Sequence, residues 1–126
     1  MSRLIAVLLG GAIGSGGRYL IAIGMSRWLG AAFPWGTLTV NVLGSLLIGL
    51  LATMADETGS IGPWSRAFLV VGVLGGFTTF SSFSLETLRL AEDNQLGRAL
   101  LNVVANVSLA LAAAVLGVAV GRALER

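Results

Sequence analysis

A single run, Leu74 Gly75 Gly76 Phe77 Thr78 Thr79 Phe80 Ser81 Ser82 Phe83 Ser84, interrupts an otherwise apolar stretch and limits what this chain can fold into. Its flanks, Phe68 to Leu74 and Leu85 to Leu90, read as bilayer-embedded, whereas a Gly-Gly pair followed by small hydroxyl residues invites a helix to break. Broken backbone at membrane depth exposes N–H and C=O groups that lipid cannot satisfy. It persists only when buried in protein or lining a polar cavity, so a polar occupant such as an ion is expected nearby.

The membrane setting follows from composition. With 126 residues, 56% hydrophobic and 11% charged, and a mean hydropathy of +0.90, the chain is too apolar for a soluble domain of its size. A helix needs about 20 residues to cross a hydrocarbon core about 30 Å thick. Four such spans are expected, at about 4–25, 36–54, 63–90 and 97–123, forming one all-α transmembrane domain whose third helix is broken near its middle. Apolar character resumes from Tyr19 to Met25, so the N-terminal segment reads as a full crossing rather than a removable signal sequence. Trp28, Trp35 and Trp64 fall at expected headgroup levels and read as anchors, and Pro63 after Gly62 suits a first helical turn.

The absence of Cys, His and Lys removes disulfides, imidazole and thiolate catalysis, Schiff bases and the commonest zinc ligands. An enzyme is not expected. All eight basic residues are Arg and form no cluster, so no nucleic-acid surface is expected. Gly11 to Gly16 superficially resembles a phosphate loop, but Gly17 stands where Lys is needed and no strand precedes it.

Four crossings place Arg3, Arg66, Arg122 and Arg126 on one side and Arg27, Arg89, Arg98 and the deeper Arg18 on the other, four against four. Orientation is set by Lys/Arg asymmetry, which is nearly absent here. Insertion both ways up is therefore expected, and two opposed copies can pair about an axis in the membrane plane.

Polar residues recur on helical faces. Gly10, Gly14 and Arg18 share one face; close packing explains the glycines, with a ligand role as the alternative. An Arg at the membrane centre costs about 3 kcal/mol on insertion scales, so Arg18 should reach the interface, pair with carbonyls or face an aqueous entrance. Thr37, Asn41 and Ser45 form a stripe in the second span, and Asn102 and Asn106 begin another in the fourth that Ala110, Ala113, Gly117 and Gly121 continue. Interhelical hydrogen bonding accounts for such stripes; alternatively, neutral donors can replace water around a small anion without a trapping charge. Phe77, Phe80 and Phe83 recur every three residues, as core packing or as positive ring edges toward an anion, while carbonyls freed by unwinding suit a cation such as Na⁺. Glu86 reads as an interfacial, wetted residue supported by Arg89, with a vestibule role as the alternative. Asp56, Glu57, Glu92, Asp93 and Glu125 read as solvated charges.

The run Gly75 to Ser84 with Glu86 Thr87, preceded by Trp35 Gly36 Thr37 Leu38 Thr39 Val40 Asn41, resembles the signature of the Fluc (CrcB) fluoride channels, and the Gly14 to Arg18 region and four-span length match as well. The resemblance implies passive fluoride export through an antiparallel, dual-topology homodimer in the bacterial cytoplasmic membrane, with two pores and a structural Na⁺ at the dimer centre. It further implies that Phe80 and Phe83 line the pores, that Asn41 donates to fluoride, and that the Gly75 and Thr78 carbonyls hold Na⁺. Thr37, Ser82, Glu86 and Asn102 would flank the ion path, and Arg18 falls within the same pathway. Some members carry Tyr at the Asn102 position and Ser at the Asn106 and Ala110 positions, a departure in this chain. Two other readings are a small multidrug or guanidinium exchanger, and a non-transporting assembly subunit. Exchange needs a titratable acid deep in the membrane, and the first two spans contain none.

Overall fold

The structure, a computed structural model, describes residues 2–126. Helix α1 covers Arg3–Leu29 and α2 covers Trp35–Asp56; α3 spans residues 63–77, α4 covers Phe80–Glu92 and α5 covers Leu96–Leu124. Counting α3 and α4 as one interrupted crossing, four helical spans are long and apolar enough to cross a membrane. Each span outruns its sequence-based bounds by one to a few residues, except at Pro63, where the third begins as expected with Pro at the first helical position.

Local chemistry sets the helix ends. Ser2 caps α1 by accepting the Ile5 N–H, and Gly30 ends it at φ 84°, a left-handed conformation that costs glycine little. Asn94, at φ 58°, turns the chain between α4 and α5.

The molecule is built from two close helix pairs. In the first, α1 lies against α3 where glycines remove the side chains between them. A Cβ at Gly14 would strike the Val73 carbonyl, one at Gly10 the Phe68 carbonyl, and one at Gly76 would lie 2.6 Å from the Gly11 carbonyl. In the second, α2 lies along α5. A Cβ at Gly49 would meet the Ala114 carbonyl and one at Gly117 the Leu46 carbonyl, so the small-residue seam of the fourth span is a packing surface.

Within α3, Ala67–Leu74 is a π-helix, unforeseen in the sequence, and the Gly75 N–H reaches back to the Val70 carbonyl five residues away. The helix then closes with one turn, Gly75–Phe77. The break lies at Thr78 (φ −85°, ψ 158°) and Thr79 (φ −152°, ψ 122°), both extended, rather than at the glycines. Gly75 keeps helical angles, φ −62° and ψ −37°.

Candidate functional site

The site is the interruption at Thr78 and Thr79, between the two helix pairs. Thr78 makes the last bonds of α3: its N–H and its hydroxyl both donate to the Leu74 carbonyl at 3.0 Å. The next amide leaves the helical pattern. The Thr79 N–H donates to Asn41 Oδ1 at 2.9 Å, and Asn41 Nδ2 donates to the Thr79 carbonyl at 3.0 Å, so one side chain of α2 pairs with both backbone groups of the extended residue. Thr79 then caps α4, its Oγ1 accepting the Ser82 N–H at 3.1 Å.

The two extended residues together free carbonyls at the end of α3 that a continuous helix would occupy. Arg18 Nε donates to one of them, the Gly76 carbonyl, at 3.1 Å. That is the carbonyl pairing expected among the roles open to Arg18. Among the described residues no donor reaches the carbonyl oxygens of Gly75 or Thr78. Two neutral oxygens released by unwinding fit an oxygen-seeking cation. No cluster of three acidic, His or Cys side chains offers an alternative metal site among the described residues.

The two polar stripes meet here. Beyond its pairing with Thr79, Asn41 Nδ2 donates to Asn106 Oδ1 at 2.9 Å; Asn106 Nδ2 donates to Asn102 Oδ1 and to the Asn102 carbonyl, each at 2.9 Å; and Asn102 Nδ2 donates to Thr87 Oγ1 at 2.9 Å. Asn102 and Asn106 are buried, so in this conformation their amides face protein. Asn41 likewise has both amide hydrogens engaged. The four-residue spacing revealed these faces; the parts played by Asn106, Thr79 and Thr87 went unassigned because they depend on which helices meet.

A cavity of about 340 Å³ lies on the α1 side of the break, lined by Ser15, Arg18, Thr37, Thr79, Ser82 and Glu86 among others. A second, of about 360 Å³, opens toward the loops with Arg89, Asp93 and Gln95 on its wall, and it shares Ala22, Gly36, Thr37 and Glu86 with the first. Thr37 and Glu86 thus stand on the boundary between the two. The Thr37 hydroxyl donates to Glu86 Oε1 at 2.9 Å, while Glu86 Oε2 is buried with no partner. Glu86 is therefore held by Thr37, and no ion pair with Arg89 forms; the expected wetted residue on its own helix is a cavity-wall residue engaged across helices.

On the opposite side, a groove of about 340 Å³ is lined by Asn41, Ser45, Thr78, Thr79, Phe80 and Asn106 among others. Phe80 and Phe83 share a tilted contact, ring centroids 5.4 Å apart and planes at 54°. Phe83 is 8% exposed and Phe80 78% exposed, so one ring is packed and the other stands free on the groove. Phe77 ends on the far side of the break, and the expected three-ring stripe is divided.

The acids at the helix ends are exposed, as expected of solvated charges, and three of them also take partners. Glu57 accepts from Arg122 at 2.7 and 2.8 Å, Asp56 accepts from Arg66 at 2.9 and 3.2 Å, and Glu125 accepts from the Ser60 hydroxyl at 2.7 Å. The Arg122 guanidinium, hydrogen-bonded to Glu57, holds that carboxyl below its ordinary range.

Residues 5–118 match the family model described as CrcB-like protein, Camphor Resistance (CrcB). Among individual relatives, the chain is similar to the fluoride-specific ion channel FluC of Opitutus terrae, 50% identical over 93% of this chain and 90% of the relative. It is similar also to the proteins of the same description from Rhizobium meliloti, 47% identical over 98% and 99% of the two chains, and from Nitrobacter winogradskyi, 46% identical over 94% of each.

Proposed function

The chain belongs to the CrcB/FluC family of fluoride ion channels, and from that premise we propose that it exports F⁻ passively through an antiparallel homodimer in the bacterial cytoplasmic membrane. As a member of this family it is a passive transporter and not an enzyme. Fluoride crosses membranes from acid surroundings as HF and is trapped on ionising inside, so a passive anion path lets it leave.

The observation that carries this reading is the extended pair Thr78–Thr79, with polar groups gathered around it inside an apolar crossing. The groove beside the break presents Asn41, Ser45, Thr78 and Thr79 outward on a lone protomer. Lipid cannot satisfy such a surface, which supports a second copy as its cover. The Gly75 and Thr78 carbonyls of one chain are fewer ligands than a cation coordinates, and an axis passing beside Thr78 would double them. Gly75 and Thr78 would then hold Na⁺ through their carbonyl oxygens; when bound, the ion supplies fixed positive charge at the centre of the pair.

On this reading F⁻ enters the cavity bounded by Arg18, Thr37 and Glu86. Arg18 supplies positive potential there, the Ser82 and Thr37 hydroxyls can turn toward the ion, and the half-buried Asn41 and buried Asn102 amides donate to it by exchanging the protein partners they hold in this conformation. The hydrogens of Phe80 and Phe83 ring edges carry partial positive charge and make contacts a desolvated anion tolerates. Neutral donors and ring edges bind weakly enough for release. Liposomes loaded with fluoride or chloride and carrying the purified protein test this. Rapid F⁻ efflux with Cl⁻ retained is expected, and equal leakage of both halides would contradict it.

A further inference from the structure

The carboxamide chain that joins the broken helix to α5 has a direction, and its ends set it. The Thr79 N–H can only donate and the Thr79 carbonyl can only accept, which fixes which end of the Asn41 amide is oxygen and which is nitrogen. Nδ2 has one hydrogen left, and it goes to Asn106 Oδ1. Asn106 must then turn its own nitrogen toward Asn102, where the carbonyl and Oδ1 both accept. Asn102 has only its nitrogen left to offer Thr87, whose hydroxyl hydrogen goes on to the Phe83 carbonyl at 2.7 Å. Reversing any one amide sets donor against donor or acceptor against acceptor. Asn102 is fully buried and Asn106 5% exposed, so water does not repair such a mismatch.

Resting on the channel reading above, we propose that Asn106 is a positioning residue. It acts through Asn41, holding that amide in the single orientation that pairs with both backbone groups of Thr79 and keeps Thr78–Thr79 extended. Three things favour this role over simple helix adhesion: Asn106 reaches α2 through the same Asn41 nitrogen that grips Thr79, it is buried, and every polar atom of its amide is engaged inside one protomer.

The test is a double-mutant cycle read by hydrogen–deuterium exchange at the Thr79 amide, resolved to the residue, in the reconstituted protein. In the wild type this amide should exchange as slowly as neighbouring helical amides. Asn106→Ala should speed it about tenfold in the wild-type background and less than about twofold in an Asn41→Ala background, because the effect passes through Asn41. Asn106→Leu, which removes the acceptor but keeps bulk, should behave like Asn106→Ala, and both should slow F⁻ efflux. An unprotected Thr79 amide in the wild type overturns the proposal without any variant, and so does an equal acceleration in both backgrounds. A wild type that fails to conduct F⁻ would remove the channel reading while leaving the exchange cycle interpretable.

Discussion

Phe83 and Phe80 occupy different situations although they are three residues apart. Phe83 is packed beneath the break and Phe80 stands on the open groove. Phe83→Ile and Phe80→Ile keep apolar bulk but lose the ring edge, and each should lower F⁻ efflux about tenfold or more, roughly 1.4 kcal/mol in barrier. Size-exclusion chromatography should show the proposed dimer intact, and unchanged efflux would mean that the rings only fill space. The glycines divide in the same way. Gly14→Ala drives a methyl group into the Val73 carbonyl and should cost about 1–3 kcal/mol of stability, whereas Gly16, with open space around its Cβ position, should tolerate Ala. Thermal unfolding in detergent compares the two. The face carrying Gly10, Gly14 and Arg18 was legible from four-residue spacing alone; that Gly16 is free was not, because spacing marks a face and not what packs on it.

At the level of elements, the sequence announced a break in the third span but misplaced its cause. The Gly75–Gly76 pair drew attention as a helix breaker, yet Gly75 is helical and Gly76 serves the approach of α1, with Gly11 close by. Thr79 ends one helix and starts the next, and it does so with help from Asn41, 38 residues away in sequence. No local pattern encodes that partner. The π-helix over Ala67–Leu74 was equally hidden, since AFLVVGVL reads as continuous apolar helix in either winding. Thr79→Ala removes the cap on α4 and should cost about 1 kcal/mol, while Thr79→Ser should retain most of it. Chemical denaturation of the reconstituted variants checks the order. Glu86 teaches the same lesson: Arg89 was its nearest charge along the helix, but Thr37 from α2 arrives at 2.9 Å.

For the whole molecule, four crossings, their order and their approximate limits followed from hydropathy, because bilayer thickness fixes length. The pairing of α1 with α3 and α2 with α5 did not, since glycines on several faces permit more than one arrangement. Ion pairs at the helix ends add a pH dependence. Glu57 is held below its ordinary range by Arg122, so the pair favours the folded state above the ordinary carboxylate range and that contribution is lost as pH falls through the lowered value. Both groups are solvent-accessible, which keeps the effect small. The melting temperature should hold from neutral pH to about 5 and decline below about 4, with a shallower decline in Glu57→Gln. The balanced arginine count predicts that a C-terminal tag is found on both sides of the membrane; a tag on one side only would exclude opposed insertion. The most direct measurement for the account as a whole is a structure of the protein in lipid nanodiscs in Na⁺ buffer. The account predicts two inverted copies whose Thr78–Thr79 segments face each other across a central ion, and a lone protomer or a parallel pair with those segments against lipid would contradict it.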